Sequence, residues 1–168
     1  MTTANRLVVT TRTAVRTRAL GRRLAKLLHP GDVVLLQGPL GAGKTTLAQG
    51  IATGLRVAGP VRSPTFVLLT QHEGTALTLY HADLYRLDDP EAVADLALEE
   101  QARDGVLLVE WPERGLAALP ATHLLVVLEP APAADTDANA RRLTFVAVGA
   151  RYRHILDGLH AAGLADHT

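Results

Sequence analysis

Val33-Val-Leu-Leu-Gln37-Gly-Pro-Leu-Gly41-Ala-Gly-Lys44-Thr45 joins four consecutive apolar residues to a glycine-rich turn. A short unbroken apolar run of this kind is the pattern of a strand covered on both faces of a parallel sheet. Gly38 to Thr45 fits GxxxxGK[ST], and Lys44 to about Gly54 reads as a helix closed by its terminal glycine. Strand, glycine loop and helix in that order are the context a phosphate-binding loop requires.

The chemistry asks for these residues in this order. A polyphosphate needs several backbone N–H donors at close range, so Gly41 and Gly43 let the chain wrap it without side chains, with Gly38, Leu40 and Ala42 supplying the rest of the loop. The helix N-terminus adds partial positive charge. Lys44 is positioned for the β and γ phosphates, and the Thr45 hydroxyl for Mg²⁺. Thr46 either hydrogen-bonds the α-phosphate or is a first-turn helix residue.

Working outward, Arg6 to Thr10 reads as a strand, and Thr13 to Leu28 as a helix with Val15, Ala19, Leu20, Leu24, Leu27 and Leu28 on one face. Val67 to Gln71 and Leu77 to Ala82 read as a hairpin about His72-Glu-Gly-Thr75. Pro90 to Arg103 is expected as one helix capped by Asp89. Val106 to Val109 and Leu124 to Leu128 repeat the buried-strand pattern, Pro112 to Leu119 a short helix, and Leu143 to Val148 a last strand before a C-terminal helix. Ala131 to Ala140, rich in Ala, Pro and Asp, is expected as a mobile loop. Strands separated by helices predict an α/β fold: a three-layer sandwich on a mostly parallel central sheet, with an antiparallel hairpin, in one domain spanning residues 1–168.

With 168 residues, 48% hydrophobic and 20% charged, the chain has room for one core. It contains no Cys, which removes disulfides, thiolate metal sites and a cysteine nucleophile. Its seven His show no HExxH spacing. No apolar run approaches the roughly 18 residues of a membrane span, and nothing has the form of a signal peptide, so a cytoplasmic protein without membrane contact is expected. The Arg-rich start resembles a transit peptide in composition, but its periodicity fits a helix of the fold. The 17 Lys/Arg and 17 Asp/Glu cancel overall. They are unevenly placed: residues 1–62 carry +9 and the remainder −9. The plainer reading is a basic helix face that meets an acidic one within the fold.

A phosphate loop needs a carboxylate on a neighbouring strand. Glu110 ends the apolar run Val106–Val109, and could touch Mg²⁺ directly or polarise the attacking water. Asp83, after His81-Ala82, could act as general base, hold Mg²⁺ from an outer shell, or cap the turn at Leu84 to Leu87. Ser63-Pro-Thr65-Phe66 follows a Gly-Pro loop, as do segments that sense the γ-phosphate, although a proline turn that opens a strand explains it as well.

Taken together, Gly38–Thr45, Ser63–Phe66, His81-Ala-Asp-Leu-Tyr-Arg86 and Leu108-Val-Glu-Trp-Pro-Glu113 resemble the bacterial TsaE (YjeE) family of small P-loop ATPases, over about Arg6 to Leu128. The resemblance implies a Mg²⁺-dependent ATPase subunit of the machinery that places threonylcarbamoyl on the tRNA adenosine next to the anticodon. It would act with TsaD and TsaB homologues and meet tRNA only through that complex. By resemblance, Lys44 and Thr45 match the phosphate and Mg²⁺ positions, Glu110 the metal carboxylate, and Asp83 the acid associated with hydrolysis. Thr65 matches a switch-like hydroxyl and Trp111 the aromatic beside the metal carboxylate. Thr10 to Ala14, which includes Thr13, corresponds to a stretch that contacts adenine. Arg141 and Arg142 are the candidates for a basic nucleotide contact.

A small-molecule kinase would share the loop, but the Arg-rich lid of such kinases is not evident after Glu110. A GTPase lacks its [NT]KxD element, since Lys26 and Lys44 are the only lysines. Within the chain only Arg86 is conceivable as an arginine finger, so weak turnover alone and greater turnover in the complex are expected.

Overall fold

The strand that carries the glycine loop lies at the centre of the sheet, as its unbroken apolar sequence requires. The computed structural model describes residues 5–132 and 137–164. In chain order the elements are β1 (Arg6–Thr11), α1 (Ala14–Ala25), β2 (Val33–Gln37), α2 (Lys44–Gly54), β3 (Leu69–His72), β4 (Leu79–Asp83), α3 (Pro90–Asp95), α4 (Leu98–Gln101), β5 (Val106–Glu110), β6 (His123–Pro130), β7 (Arg141–Val148) and α5 (Arg153–Ala161). The sheet order is β1-β7-β6-β2-β5-β4-β3, with β2 fourth of seven.

Alternation along the strands divides the core between the two faces. Val34 and Leu36 of β2, with Val106 and Leu108 of β5, pack beneath α1, α2 and α5. Val33 and Leu35, with Leu107 and Val109, turn to the other side, where Val93 and Leu98 of the short helices meet them. The result is the expected three-layer α/β sandwich. Four neighbouring strands are parallel, through the pairs β6–β2, β2–β5 and β5–β4. The β3–β4 hairpin is antiparallel, as the sequence indicates. At the other edge β7 also runs antiparallel, between β6 and β1, which the sequence pattern did not disclose.

α1 and α2 cross at glycines. A Cβ on Gly21 would lie 2.6 Å from the Leu47 carbonyl oxygen, and one on Gly50 would collide with the Arg18 carbonyl. Arg151, just before α5, ties that helix to the start of β2: its Nε donates to Asp32 Oδ1 at 2.7 Å, and Asp32 is buried.

Two expected helices are broken. Pro90 to Arg103 is divided at Ala97, whose φ is +47°. Val93 and Leu98 are both buried, yet five residues apart they would diverge by about 140° on a continuous helix. The break turns both inward. Pro112 to Leu119 forms two 3-10 turns, Pro112–Arg114 and Leu116–Ala118. Gly115 joins them where a Cβ would strike the Val93 side chain. Residues 133–136, the middle of the expected mobile loop, lie outside the described residues. No helix among the described residues is long and apolar enough to cross a membrane.

Candidate functional site

The phosphate-loop residues form the mouth of β2. Gly41 and Gly43 have φ of +77° and +100°, a region open to glycine and costly for residues with a Cβ. Nothing lies within 4 Å of a Cβ placed on Gly41. Gly43 is the N-cap of α2 and no side chain caps that helix, so its first-turn N–H groups face the opening. A cavity of about 360 Å³ stands above the loop, lined by Leu40, Gly41, Ala42, Gly43, Lys44, Thr45 and Thr46 on one side and by Ser63, Thr65, Asp83, Glu110 and Trp111 on the other.

Topology brings the carboxylates together. Asp83 and Glu110 end adjacent parallel strands and are register partners, so both project to the same face beside α2. Both are buried. Thr45 Oγ1 donates to Glu110 Oε1 at 3.1 Å. Ser63 Oγ lies 2.6 Å from Glu110 Oε2 and also contacts Asp83 Oδ2. Thr65 Oγ1 donates to Asp83 Oδ2 at 3.0 Å, and the Tyr85 backbone N–H donates to Asp83 Oδ1 at 2.9 Å. Asp83 thus caps the following turn and holds the Ser63–Thr65 segment at once.

Lys44 Nζ donates to the carbonyls of Gly38 and Pro39, at 2.6 and 2.9 Å, and sits 4.1 Å from the centroid of the Trp111 ring. Burial pushes its pKa below the usual amine value, opposed by the nearby Glu110, Glu113 and Asp83 carboxylates. A bound anion would relieve that cost. For Glu110, burial opposes ionisation, but His81 and the Ser63 and Thr45 hydroxyls outweigh it and hold the carboxyl below its ordinary range. His81 is completely buried on the same face, with Nε2 3.8 Å from Glu110 Oε1 and no hydrogen bond to either ring nitrogen.

The donor set fits a hard divalent cation. It consists of a hydroxyl and two carboxylates, all oxygen, against an open phosphate loop. A serine hydroxyl carries one proton, yet Ser63 Oγ meets oxygens of both carboxylates. The negative charge concentrated there is what a cation would offset.

Two candidates stand apart from this cluster. Thr13 is the N-cap of α1, accepting from the Arg16 N–H, and does not line the cavity. Arg141 reaches the tip of the loop, with NH2 3.4 Å from the Gly41 carbonyl oxygen. The β1–β7 register pairs Thr11 with Arg141, which puts Thr13 and Arg141 at the same end of the sheet. Gly38 lies behind the cavity, where its carbonyl holds Lys44.

Ser63, Tyr85 and His81 were not singled out as site residues by sequence. Tyr85 lines the cavity and packs on Trp111 with ring centroids 4.8 Å apart. All three sit inside motifs that were recognised, yet a hydroxyl beside Pro64 and a histidine two residues before an acid have ordinary structural uses. Only the strand register shows that they converge. Trp111 itself has φ of +59°, unusual for a bulky residue. Pro112 follows it and disfavours the right-handed helical region.

The family model described as "Threonylcarbamoyl adenosine biosynthesis protein TsaE" matches residues 11–141. A Streptomyces coelicolor protein named "tRNA threonylcarbamoyladenosine biosynthesis protein TsaE" is 44% identical over 138 residues, covering 80% of this chain and 93% of the relative. The Bacillus subtilis protein of the same name is 40% identical over 144 residues, covering 85% and 87%. Among solved structures, Bacillus subtilis YdiB superposes with a TM-score of 0.79 at 34% identity, covering 94% of this chain and 96% of that one. Its phosphate loop, paired carboxylates and these relatives agree, and the chain belongs to the TsaE family of tRNA threonylcarbamoyladenosine biosynthesis proteins.

Proposed function

We propose that this protein binds ATP with Mg²⁺ and hydrolyses it weakly, as the ATPase subunit that acts with a TsaD–TsaB pair in threonylcarbamoyl modification of tRNA. The observation that carries the reading is the convergence of Thr45, Glu110 and Asp83 beside Lys44 at the mouth of an open phosphate loop. The loop N–H groups and Lys44 would hold the polyphosphate, and Thr45 with Glu110 would hold the metal. When bound, Mg²⁺ neutralises charge on the β and γ phosphate oxygens. Asp83 is the carboxylate left to orient a water, held in place by Thr65 and the Tyr85 N–H.

The dependence on a partner rests on the cations and the rim. Arg86 lies 4.1 Å from the Phe66 ring centroid, and Arg114 5.5 Å from that of Tyr85. Both are engaged with rings and not with the cavity. Leu40, Phe66, Val67 and Tyr85 expose apolar surface around the opening. A partner seated there would cover apolar rim and could bring a cation to the leaving phosphate.

Trp111 is the sole tryptophan and lies in the site, so its fluorescence reports binding directly. Titration with ATP should change the signal, more tightly with Mg²⁺ than without; Lys44→Ala should abolish the change and Glu110→Gln remove the metal enhancement. No response to ATP in the wild-type protein would overturn the reading.

A further inference from the structure

Folding leaves the charge asymmetry of the sequence in place. Arg16, Arg18, Arg22, Arg23, Lys26 and Arg56 lie on the layer of α1 and α2, while Asp88, Asp89, Glu91, Asp95, Glu99 and Glu100 are exposed around α3 and α4 on the opposite face of the sheet. The expected meeting of a basic and an acidic face does not occur. Among the described residues the ion pairs join Asp32 to Arg151 and His29, Glu129 to Arg142, and Glu110 to His81. None includes Arg16, Arg22, Arg23, Lys26 or Arg56.

On the basic layer runs a groove of about 630 Å³. Arg22 and Arg23 of α1, Lys26 at its C-cap and Arg56, just beyond α2, line it, with Gly54 and Gly158 among its small residues. A second hollow of about 410 Å³ shares Arg23 and continues along α1 past Arg16. No carboxylate among the described residues lines either one. From Arg16 to Lys26 the helix extends about 15 Å, enough for cations to meet successive charges of a linear polyanion.

Arg56 adds a separate observation. Its N–H donates to the Thr53 carbonyl and the Val57 N–H to the Ala52 carbonyl, each at 3.0 Å, which is the hydrogen-bond pattern of a helix end that ordinarily carries glycine at this position. Arg56 takes it with φ of +61°. A long cationic side chain is held at a position suited to glycine, on a groove lined by three further cations that form no ion pair among the described residues, so its use is in charge and not in backbone geometry.

We infer that this groove docks the phosphate backbone of RNA directly, at the C-terminal end of α2, opposite the end where the carboxylate pair lies. RNA is favoured over an acidic protein surface because, among the described residues, the cations follow a track whose one exposed large apolar neighbour is Val15, and because the relatives are named for tRNA threonylcarbamoyladenosine biosynthesis. In choosing tRNA as the RNA, the inference rests on the proposed function.

The experiment is fluorescence anisotropy of a labelled, unmodified tRNA transcript with the full chain, across about 50 to about 200 mM salt. Saturable binding should weaken steeply with salt. The variant Arg22→Ala/Arg23→Ala/Lys26→Ala/Arg56→Gly should bind at least about tenfold more weakly and flatten the logarithmic salt slope by about three units. Lys26→Glu alone should weaken binding with less disturbance of the surface. The Trp111 response to MgATP should be unchanged in both variants, so loss of that response in the wild type would count against the nucleotide site and not the groove. Absence of wild-type binding at the lowest salt, or equal binding by the folded variants, overturns the inference. So does competition by polyglutamate as effective as that by unlabelled tRNA, which would indicate an acidic protein partner.

Discussion

Ser63 holds the two carboxylates through one oxygen, and its loss tests the site as a charged cluster. Hydrogen bonds to charged groups contribute about 1.5–3 kcal/mol. Ser63→Ala should therefore lower the stability of the nucleotide-free protein by about 2 kcal/mol, read by thermal melting, with a smaller deficit in MgATP. An unchanged melting temperature would contradict this assignment. Glu110 predicts the pH dependence. Its folded pKa lies below the ordinary 4.5, so the stability it contributes is fully present above that value and is lost as pH falls through the lower folded value. The stability difference between wild type and Glu110→Gln should be flat from neutral pH to about 4.5 and shrink below it. A difference that already collapses near pH 6 would mean that the carboxyl is not stabilised by its neighbours.

The crossing of α1 on α2 depends on two glycines, and an added methyl group would meet rigid backbone. Gly21→Ala should cost about 1–3 kcal/mol, seen as a lower denaturation midpoint with an unchanged slope. A neutral effect would mean that the helices can separate freely. At this scale the limits of the sequence are visible. The β2–loop–α2 unit was legible because its pattern is contiguous and each residue type has a stated task. The break at Ala97 was not, because Pro90 to Arg103 satisfies helix rules locally and only the demand to bury both Val93 and Leu98 divides it. The direction of β7 was equally hidden, since alternation shows which face a residue takes but not which way the strand runs. In the site, Lys44, Thr45 and Glu110 were legible from motifs. Ser63 required the register of β4 on β5 before its position had meaning.

At the scale of the whole molecule, a sheet with a basic helical layer on one face and an acidic one on the other positions the cavity above the glycine loop at the carboxyl ends of its parallel strands. Apolar Leu40, Phe66 and Val67 surround that opening, and among the described residues no arginine lines it. A site assembled in this way should turn over slowly until a second protein completes it. The most direct test is steady-state ATP turnover with Mg²⁺ by the purified chain, alone and titrated with the TsaD–TsaB pair, beside Glu110→Ala. Slow turnover alone, stimulation by the pair and loss of both in the variant are predicted; turnover that ignores the pair would contradict the account and point to a kinase with an acceptor of its own.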